Sequence, residues 1–276
     1  MSAPQGNTQA SVDSAHTLLR DAAAEAARAA GALVRAGFGK VRDYRSKGRS
    51  VDLVTEIDRA AERCIADFLA ARFPDHGLLA EEGTRRPTGA GRPLWIVDPL
   101  DGTTNFAHAL PVVAVSIGVV QSDQVVAGVI YDPLRDELFA AARGHGARLN
   151  AAPLRVSTTP TLERSLVATG FPYDRRERAG YYVAFWQAVM TRAQELRRLG
   201  AAAIDLAWVA AGRFDAYWEL NLKPWDLAAG TLIVAEAGGR VTDPQGAAVD
   251  LAAGNIVASN GLVHDELLAV LGDVPQ

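Results

Sequence analysis

Hydrophobic and polar positions follow the helical period over the first quarter of the chain. From Ser11 to Gly37 apolar residues recur at helical spacing, and Gly37 and Gly39 predict the end of a first helix. The preceding segment, residues 1–10, is polar and is predicted to be disordered. A second amphipathic helix is predicted to follow Thr55 and to end at Pro74. Its apolar face comprises Ile57, Ala61, Ile65, Phe68 and Leu69.

Short apolar runs separated by turn residues follow, and they predict strands. Leu78–Ala80 and Leu94–Val97 come first, with a Pro- and Gly-containing surface loop from Arg85 to Arg92 between them. Three longer runs then predict an antiparallel meander, at Val112–Val120, Val125–Tyr131 and Glu137–Ala142.

The second half alternates strand and helix patterns, which predicts a layered α/β architecture. Strands are predicted around Leu166 and Leu196 and at 215–218, 240–242 and 256–258, and helices at 178–193, 201–211, 226–237 and 261–271. A boundary near residues 150–160 would give subdomains 11–150 and 151–276. Because candidate site residues fall on both sides of it, residues 11–276 are treated as a single catalytic domain.

Composition excludes several functional classes. The 276 residues carry 28 Lys+Arg against 32 Asp+Glu, without the basic surplus of a nucleic-acid-binding protein. The single cysteine, Cys64, rules out an internal disulfide framework. No signal-peptide pattern or membrane-length apolar run is present. The expectation is a cytoplasmic protein that binds neither membrane nor nucleic acid.

The most informative stretch begins where the strand Leu94–Val97 ends in Asp98, with Asp101 three residues later. Carboxylates are hard oxygen ligands, which suit Mg²⁺ better than zinc or copper. Gly102 permits close backbone approach, and the N–H groups after it can face an anion held by the same cations. A metal site and a phosphate site in one turn predict a phosphatase.

Three further carboxylates, Asp58, Glu81 and Asp226, lie at predicted element boundaries. Each alone can be explained as a helix cap or a solvated charge, and Asp226 in particular suits a helix N-terminus. Asp98 and Asp101 differ, because carboxylates crowded in a confined turn repel one another unless cations neutralise them.

Two motifs resemble the signatures of the inositol monophosphatase family, Mg²⁺-dependent and lithium-sensitive phosphatases whose superfamily includes the fructose bisphosphatases. The first is Trp95–Asn105, an apolar strand followed by D-P-x-D-G-T-T-N. The second is Trp225–Gly230 with Glu236–Gly239, W-D-x-A-A-G followed by E-A-G-G. Supporting matches are Val51–Thr55 with Asp58, and Asp215–Glu219. The resemblance implies the family's alternating αβαβα sandwich.

The resemblance also implies metal ligands. Glu81, Asp98 and the backbone carbonyl of Leu100 would hold one Mg²⁺. Asp98, Asp101 and Asp226 would hold a second, and a third, weaker ion would lie at Glu81. Two to three Mg²⁺ ions per site are therefore expected.

Catalytic and substrate roles follow from the same resemblance. Thr103, paired with Asp58, would orient and help deprotonate the attacking water, and Glu81 would contribute through its ion. Substrate contacts are expected from Lys47, Gly102, Thr103, Thr104, Gly200, Ala201, Ala202, Glu219 and Asp226. One departure is notable: the family's Gly-Glu-Glu-Ser is Ala80-Glu81-Glu82-Gly83 here, so a serine hydroxyl near the first glutamate is absent.

The resemblance implies hydrolysis of inositol monophosphate to inositol and phosphate, and it implies a homodimer. Histidinol phosphate, fructose bisphosphate or a 3′-phosphonucleotide would be alternative substrates for the same chemistry. A hypothesis of another class is a regulatory protein that binds RNA polymerase or ribosomal components.

Overall fold

The fold was analysed in a computed structural model, in which residues 6–40, 45–46 and 53–274 are described, with side chains for 14–40 and 55–274. The described residues form seven α-helices. These are α1 Gly6–Gly37, α2 Glu56–Arg72, α3 Thr103–Ala107, α4 Ala179–Met190, α5 Ala202–Ala210, α6 Pro224–Glu236 and α7 His264–Gly272. None of them is both long enough and apolar enough to cross a membrane.

The strands are numbered in chain order. They are β1 Arg45–Ser46, β2 Leu53–Val54, β3 Gly77–Ala80, β4 Arg85–Arg86, β5 Leu94–Asp101, β6 Ala114–Gln121, β7 Gln124–Asp132, β8 Glu137–Ala142, β9 Ala147–Leu149, β10 Ala152–Pro153, β11 Leu166–Thr169, β12 Glu195–Arg197, β13 Ala216–Glu219, β14 Arg240–Thr242 and β15 Ile256–Ser259.

Eight strands make one sheet in the order β10-β9-β8-β7-β6-β5-β3-β4, and β1 and β2 pair separately. The run from β5 to β10 is antiparallel throughout, and β3 lies parallel to β5. The predicted meander is therefore confirmed.

A second sheet of five strands has the order β12-β11-β13-β15-β14. Its β11 is parallel to both neighbours, whereas β15 is antiparallel to β13 and β14. Strands joined through helices are expected to be parallel, because a crossover returns the chain to the same edge.

Three hydrophobic clusters separate five layers. The first lies between α1 with α2 and one face of the large sheet. The second fills the space where α5 and α6 lie between the two sheets, and the third lies between the small sheet and the α4–α7 pair. The predicted αβαβα sandwich is confirmed.

Helix α6 approaches the large sheet unusually closely, at two glycines on β6 and β7. A Cβ built on Gly118 would lie 2.6 Å from the Cβ of Ala228, and one on Gly128 would lie 2.7 Å from the carbonyl oxygen of Ala229. Small residues on both surfaces bring the helix backbone close to the strands. The start of α6, which carries Asp226, is thereby brought near the end of β5.

Some boundaries differ from the sequence predictions. Helix α1 begins at Gly6, within the segment 1–10 for which disorder was predicted. The predicted 85–92 loop contains the short strand β4, which pairs with β3. The last helix begins at His264 and not at Gly261, since Gly261 has a φ of +85°, in the left-handed region.

Candidate active site

Asp98 and Asp101 both line one pocket, although they are three residues apart in the same strand. Side chains at i and i+3 of a regular strand point to opposite faces. The pairing of β5 with β6 is irregular between these two residues, and the shift allows both carboxylates to face the pocket. The Leu100 N–H donates to Oδ1 of Asp98 at 2.9 Å, which fixes the bend.

Asp226 reaches the same pocket from the first turn of α6. Its Oδ2 accepts a hydrogen bond from the Lys223 N–H at 2.7 Å. The Ser116 hydroxyl on β6 donates to the carbonyl of Trp225 at 3.1 Å, which ties the start of the helix to the sheet. The tryptophan–aspartate pair is therefore held against β6 by its backbone.

One oxygen from each of Asp98, Asp101 and Asp226 lies within 4.8 Å of the other two. Burial raises the pKa of Asp98 and of Asp226 well above the ordinary value, and neighbouring carboxylates raise both further. Burial likewise raises the pKa of Asp101 to about 7, although the Ala203 N–H, 2.7 Å from Oδ2, opposes the shift. The charge of Glu81, which lines the same pocket, adds to all three shifts.

This donor set matches a hard divalent cation. The converging ligands are carboxylate oxygens, and Leu100 lines the same pocket. Oxygen-only sets suit Mg²⁺ and Ca²⁺. The raised pKa values express a repulsion between carboxylates that a bound cation would relieve.

Asp58 and Thr103 meet beside this cluster. The Thr103 hydroxyl lies 2.9 Å from Oδ1 of Asp58 and 3.1 Å from the carbonyl of Leu100. The other Asp58 oxygen accepts hydrogen bonds from the backbone N–H and hydroxyl of Thr55, which caps α2. Burial raises the pKa of the fully buried Asp58, and its hydrogen bonds to Thr55 and Thr103 oppose that shift.

The turn after Asp101 opens α3. Gly102 has a φ of +86°, in the left-handed region that favours glycine. The Asn105 amide donates to the carbonyls of Val112 and Leu199, each at 2.9 Å. Asn105 therefore joins this turn to the chain that leads into Gly200.

A second carboxylate environment lies on another wall of the pocket. Glu219 is buried, and its Oε2 accepts a hydrogen bond from the Tyr217 hydroxyl at 2.6 Å. Burial raises the pKa of Glu219 to about 7, while Tyr217, Arg198 and Arg175 lower it. A Cβ built on Gly170 would lie 2.0 Å from the Glu219 carboxylate, so only glycine leaves room for it.

The pocket unites most of the residues predicted to form the site. Twelve of the predicted residues line it: Glu81, Asp98, Leu100, Asp101, Gly102, Thr103, Thr104, Gly200, Ala201, Ala202, Glu219 and Asp226. Asp58 reaches it through Thr103. Lys47 lies outside the described residues.

Sequence reasoning missed two buried groups near the site. Both Glu62 oxygens accept backbone hydrogen bonds, from Glu82 at 2.6 Å and Thr84 at 2.9 Å, which holds the segment after Glu81 in place. Glu62 is one helical turn after Asp58, a spacing that places both on one face and could have revealed it. Asp205 is buried behind the pocket, and its Oδ1 has no hydrogen-bond partner among the described residues.

Comparisons with known proteins identify the family and agree with the fold. The family model for the inositol monophosphatase family matches residues 16–276. An inositol-1-monophosphatase of Synechocystis sp. is 48% identical over 254 residues, 92% of this chain and 88% of that protein. The Nus factor SuhB of Salmonella typhimurium is 44% identical over 228 residues, 83% of this chain and 85% of that protein. The extragenic suppressor protein suhB of Bartonella henselae, a crystal structure, matches with a TM-score of 0.88 at 41% identity, covering 93% of this chain and 99% of that one.

The family match and the phosphatase relative, together with the layered fold and the acidic pocket, indicate a phosphatase. The chain belongs to the inositol monophosphatase family, whose members are generally metal-dependent. The family predicted from the two sequence motifs is confirmed.

Proposed function

We propose that the protein is a Mg²⁺-dependent phosphomonoesterase that hydrolyses inositol monophosphate to inositol and phosphate. The observation that carries this proposal is the convergence of Asp98, Asp101 and Asp226 within 4.8 Å. These residues come from two distant parts of the chain, and a purely structural role would not require three carboxylates to meet.

Glu81, Asp98, the Leu100 carbonyl, Asp101 and Asp226 would hold two to three Mg²⁺ ions. When bound, Mg²⁺ supplies positive charge that stabilises the phosphoryl oxygens and the attacking and leaving oxygens of an in-line displacement. Li⁺ is expected to inhibit by competing at the position formed by the three aspartates.

The chain's own groups orient the reactants. Oδ1 of Asp58 accepts a hydrogen bond from the Thr103 hydroxyl, so the oxygen of that hydroxyl can accept one from the attacking water and direct a lone pair at phosphorus. Asp58 then draws proton density away from the water through Thr103. Water is the nucleophile in this scheme, and no phosphoenzyme forms.

Backbone N–H groups of Gly102, Thr103 and Thr104 would bind the phosphate, and Lys47 would add positive charge. Glu219 would accept hydrogen bonds from hydroxyls of the sugar alcohol, because an ionised carboxylate is purely an acceptor. The turn at Gly200, Ala201 and Ala202 would lie along the ring.

Phosphate release from inositol 1-phosphate, with and without Mg²⁺, tests the proposal. Asp101→Asn should lose at least about 100-fold in kcat, because one ligand charge at the cation site is lost. Asp243→Asn is a matched control, since Asp243 lies outside the pocket and its Oδ1 accepts turn hydrogen bonds that asparagine can retain. Full activity of Asp101→Asn would refute the metal assignment.

The same chemistry on histidinol phosphate, fructose bisphosphate or a 3′-phosphonucleotide is the alternative within this class. The Glu219 carboxylate beside the pocket favours a ligand rich in hydroxyls over an imidazole. Relative kcat/KM over a panel of these esters would rank them. A homodimer is also proposed from the family, and light scattering would test it.

A second candidate function is regulatory binding to RNA polymerase or ribosomal components. It is favoured by the 44% identity to a protein named a Nus factor. Pull-down with purified RNA polymerase using Asp101→Asn distinguishes the two functions. Binding that survives the loss of phosphatase activity would support a separate regulatory role.

A further inference from the structure

Two segments from distant parts of the chain, 171–175 and 221–223, contribute residues that line the pocket. The first segment leads into α4, and the second connects β13 to α6. The second segment therefore lies in the chain between Glu219, the proposed polyol contact, and Asp226, a proposed cation ligand. The distance between these two segments helps to set the shape of the pocket beside the polyol.

The hydroxyl of Tyr182, on α4, joins the two segments. The Tyr182 side chain is buried, and its hydroxyl donates to Oδ1 of Asp174 at 2.7 Å. The same hydroxyl oxygen accepts a hydrogen bond from Nδ2 of Asn221 at 3.0 Å. Burial and the hydrogen bond to Asp174 raise the pKa of Tyr182, so the hydroxyl keeps the proton that it donates at neutral pH. One side chain thus holds both segments.

Asn221 is suited to this contact by its backbone conformation. Its φ is +57°, in the left-handed region, which asparagine adopts more readily than most other residues with a side chain. The Asn221 N–H donates to Oδ1 of Asn255 at 3.1 Å, and the Leu222 N–H donates to the Gly254 carbonyl at 2.8 Å. The segment 221–223 is therefore held by the loop before β15 on one side and by Tyr182 on the other.

The cation side of the pocket is held by other contacts. The Ser116 hydroxyl ties the first turn of α6, which carries Asp226, to β6. Asp98 and Asp101 belong to β5 of the large sheet. Neither of these supports involves the Tyr182 hydroxyl, so its removal should change the polyol side of the pocket and leave the cation side in place.

We propose that Tyr182 is a positioning residue that sets the affinity for the alcohol part of the substrate by holding Asp174 and Asn221 together. The proposal rests on the proposed function, in which Glu219 and the adjoining wall receive the sugar alcohol. Tyr182 itself does not line the pocket, and it acts through its two partners.

Initial rates of phosphate release from inositol 1-phosphate by Tyr182→Phe test this role. The variant keeps the aromatic ring and loses both hydrogen bonds. KM should rise about tenfold, the usual effect of about one lost hydrogen bond, and kcat should change less than about twofold. A variant that is only less stable would contain less active enzyme, which lowers the apparent kcat at an unchanged KM.

Tyr181→Phe is the matched control on the same helix, because the Tyr181 hydroxyl makes no hydrogen bond with any other described residue. Its KM should equal that of the wild type. Asn221→Gly keeps a left-handed backbone and removes the amide that reaches Tyr182. Adding Tyr182→Phe to it should raise KM by less than about a further twofold, since the link is already broken. An unchanged KM for Tyr182→Phe, or full additivity of the two substitutions, would overturn the proposal.

Binding of inositol 1-phosphate and of inorganic phosphate is measured in parallel by calorimetry, with Ca²⁺ in place of Mg²⁺, so that the result does not depend on turnover. Tyr182→Phe should weaken binding of inositol 1-phosphate about tenfold and leave binding of inorganic phosphate unchanged, because inorganic phosphate has no alcohol part. This pattern without phosphate release by the wild type would refute the proposed function and support the positioning role. Phosphate release by the wild type, with both ligands affected equally by Tyr182→Phe, would support the phosphatase and refute the positioning role. A wild type that binds neither ligand would overturn both.

Discussion

The hydroxyl of Thr103 lies 2.9 Å from Oδ1 of Asp58, which joins the turn after β5 to the first turn of α2. Asp58→Asn retains an oxygen acceptor but loses the negative charge that draws a proton through Thr103. We expect kcat to fall about 100-fold or more, in the range typical of general-base variants. Asp67→Asn, at an exposed position of the same helix, should keep wild-type kcat. Unchanged phosphate release by Asp58→Asn would remove Asp58 from the mechanism.

Stability without metal should depend on pH because of the buried aspartates. The folded pKa of Asp101 is about 7, above its ordinary 3.8, so its contribution to stability is present at low pH and is lost as pH rises through 7. The free energy of unfolding of EDTA-treated protein should therefore fall between about pH 4 and pH 8, and Mg²⁺ should restore more of it at the upper end of that range. Urea titrations with and without Mg²⁺ measure both effects.

Asp101→Asn gives a separable test of the same repulsion. At about pH 8 the metal-free variant should be more stable than the metal-free wild type, by up to about 4 kcal/mol for a shift of this size. With Mg²⁺ present the order should reverse, because the variant has lost a ligand charge. A variant that is less stable in both conditions would contradict the idea of carboxylates held together against their repulsion.

Gly170 is expected to be intolerant of a side chain. Gly170→Ala would place a methyl group 2.0 Å from the Glu219 carboxylate, so this carboxylate must move. We expect KM for inositol 1-phosphate to rise about tenfold, the loss of roughly one hydrogen bond. Gly180→Ala is the control, because apart from its chain neighbours and the backbone of its own helix, a Cβ there has no atom within 4 Å. Equal KM values for the two variants would show that Glu219 does not contribute to substrate binding.

Tyr217→Phe should change the pH dependence of substrate binding. The Tyr217 hydroxyl donates to Glu219 and lowers the pKa of that carboxyl, which is about 7. Glu219 accepts hydroxyl hydrogen bonds when ionised, so affinity should increase as pH rises through 7. The variant should shift this midpoint upward, and KM measured across pH for both proteins would reveal it. A midpoint that does not move would show that another group controls binding.

Glu62 should influence metal affinity through the segment after Glu81. Its carboxylate accepts both the Glu82 and the Thr84 N–H, and Glu62→Ala would remove both of these acceptors. We expect half-maximal activity to require about 10- to 100-fold more Mg²⁺, the usual effect of losing a group that supports a ligand. Glu56→Ala, at an exposed position of the same helix, should leave the Mg²⁺ requirement unchanged. Equal Mg²⁺ requirements would mean that Glu81 is positioned without Glu62.

A layered α/β architecture could be predicted because its elements have clean periodicity, and the αβαβα order came from the resemblance to the family. Strands β6 to β8 alternate with turn residues, and the boundaries of β8 and β14 match the sequence predictions. Short pairs such as β9 with β10 were missed, since two or three residues carry too little pattern. The start of α1 was missed because a polar segment can extend a helix whose stability comes from packing farther along.

The candidate site could be predicted only where its residues lie in continuous motifs. Asp98, Asp101 and Asp226 stand in such motifs, and the structure brings them together. The irregular pairing that turns Asp98 and Asp101 to the same pocket could not be predicted, because it depends on the partner strand β6. Arg175 and Arg198 also line the pocket, but neither stands in a motif, so the sequence alone cannot show which arginines of the runs at 175–178 and 197–198 reach it.

Because α6 packs closely against Gly118 and Gly128, Asp226 meets Asp98 and Asp101 only when both halves of the chain are packed together. An ion bound by these three aspartates would link the large sheet to the helix layer between the two sheets. A slight separation of these layers would therefore abolish cation binding and activity well before the protein unfolds. Added cation would oppose that separation.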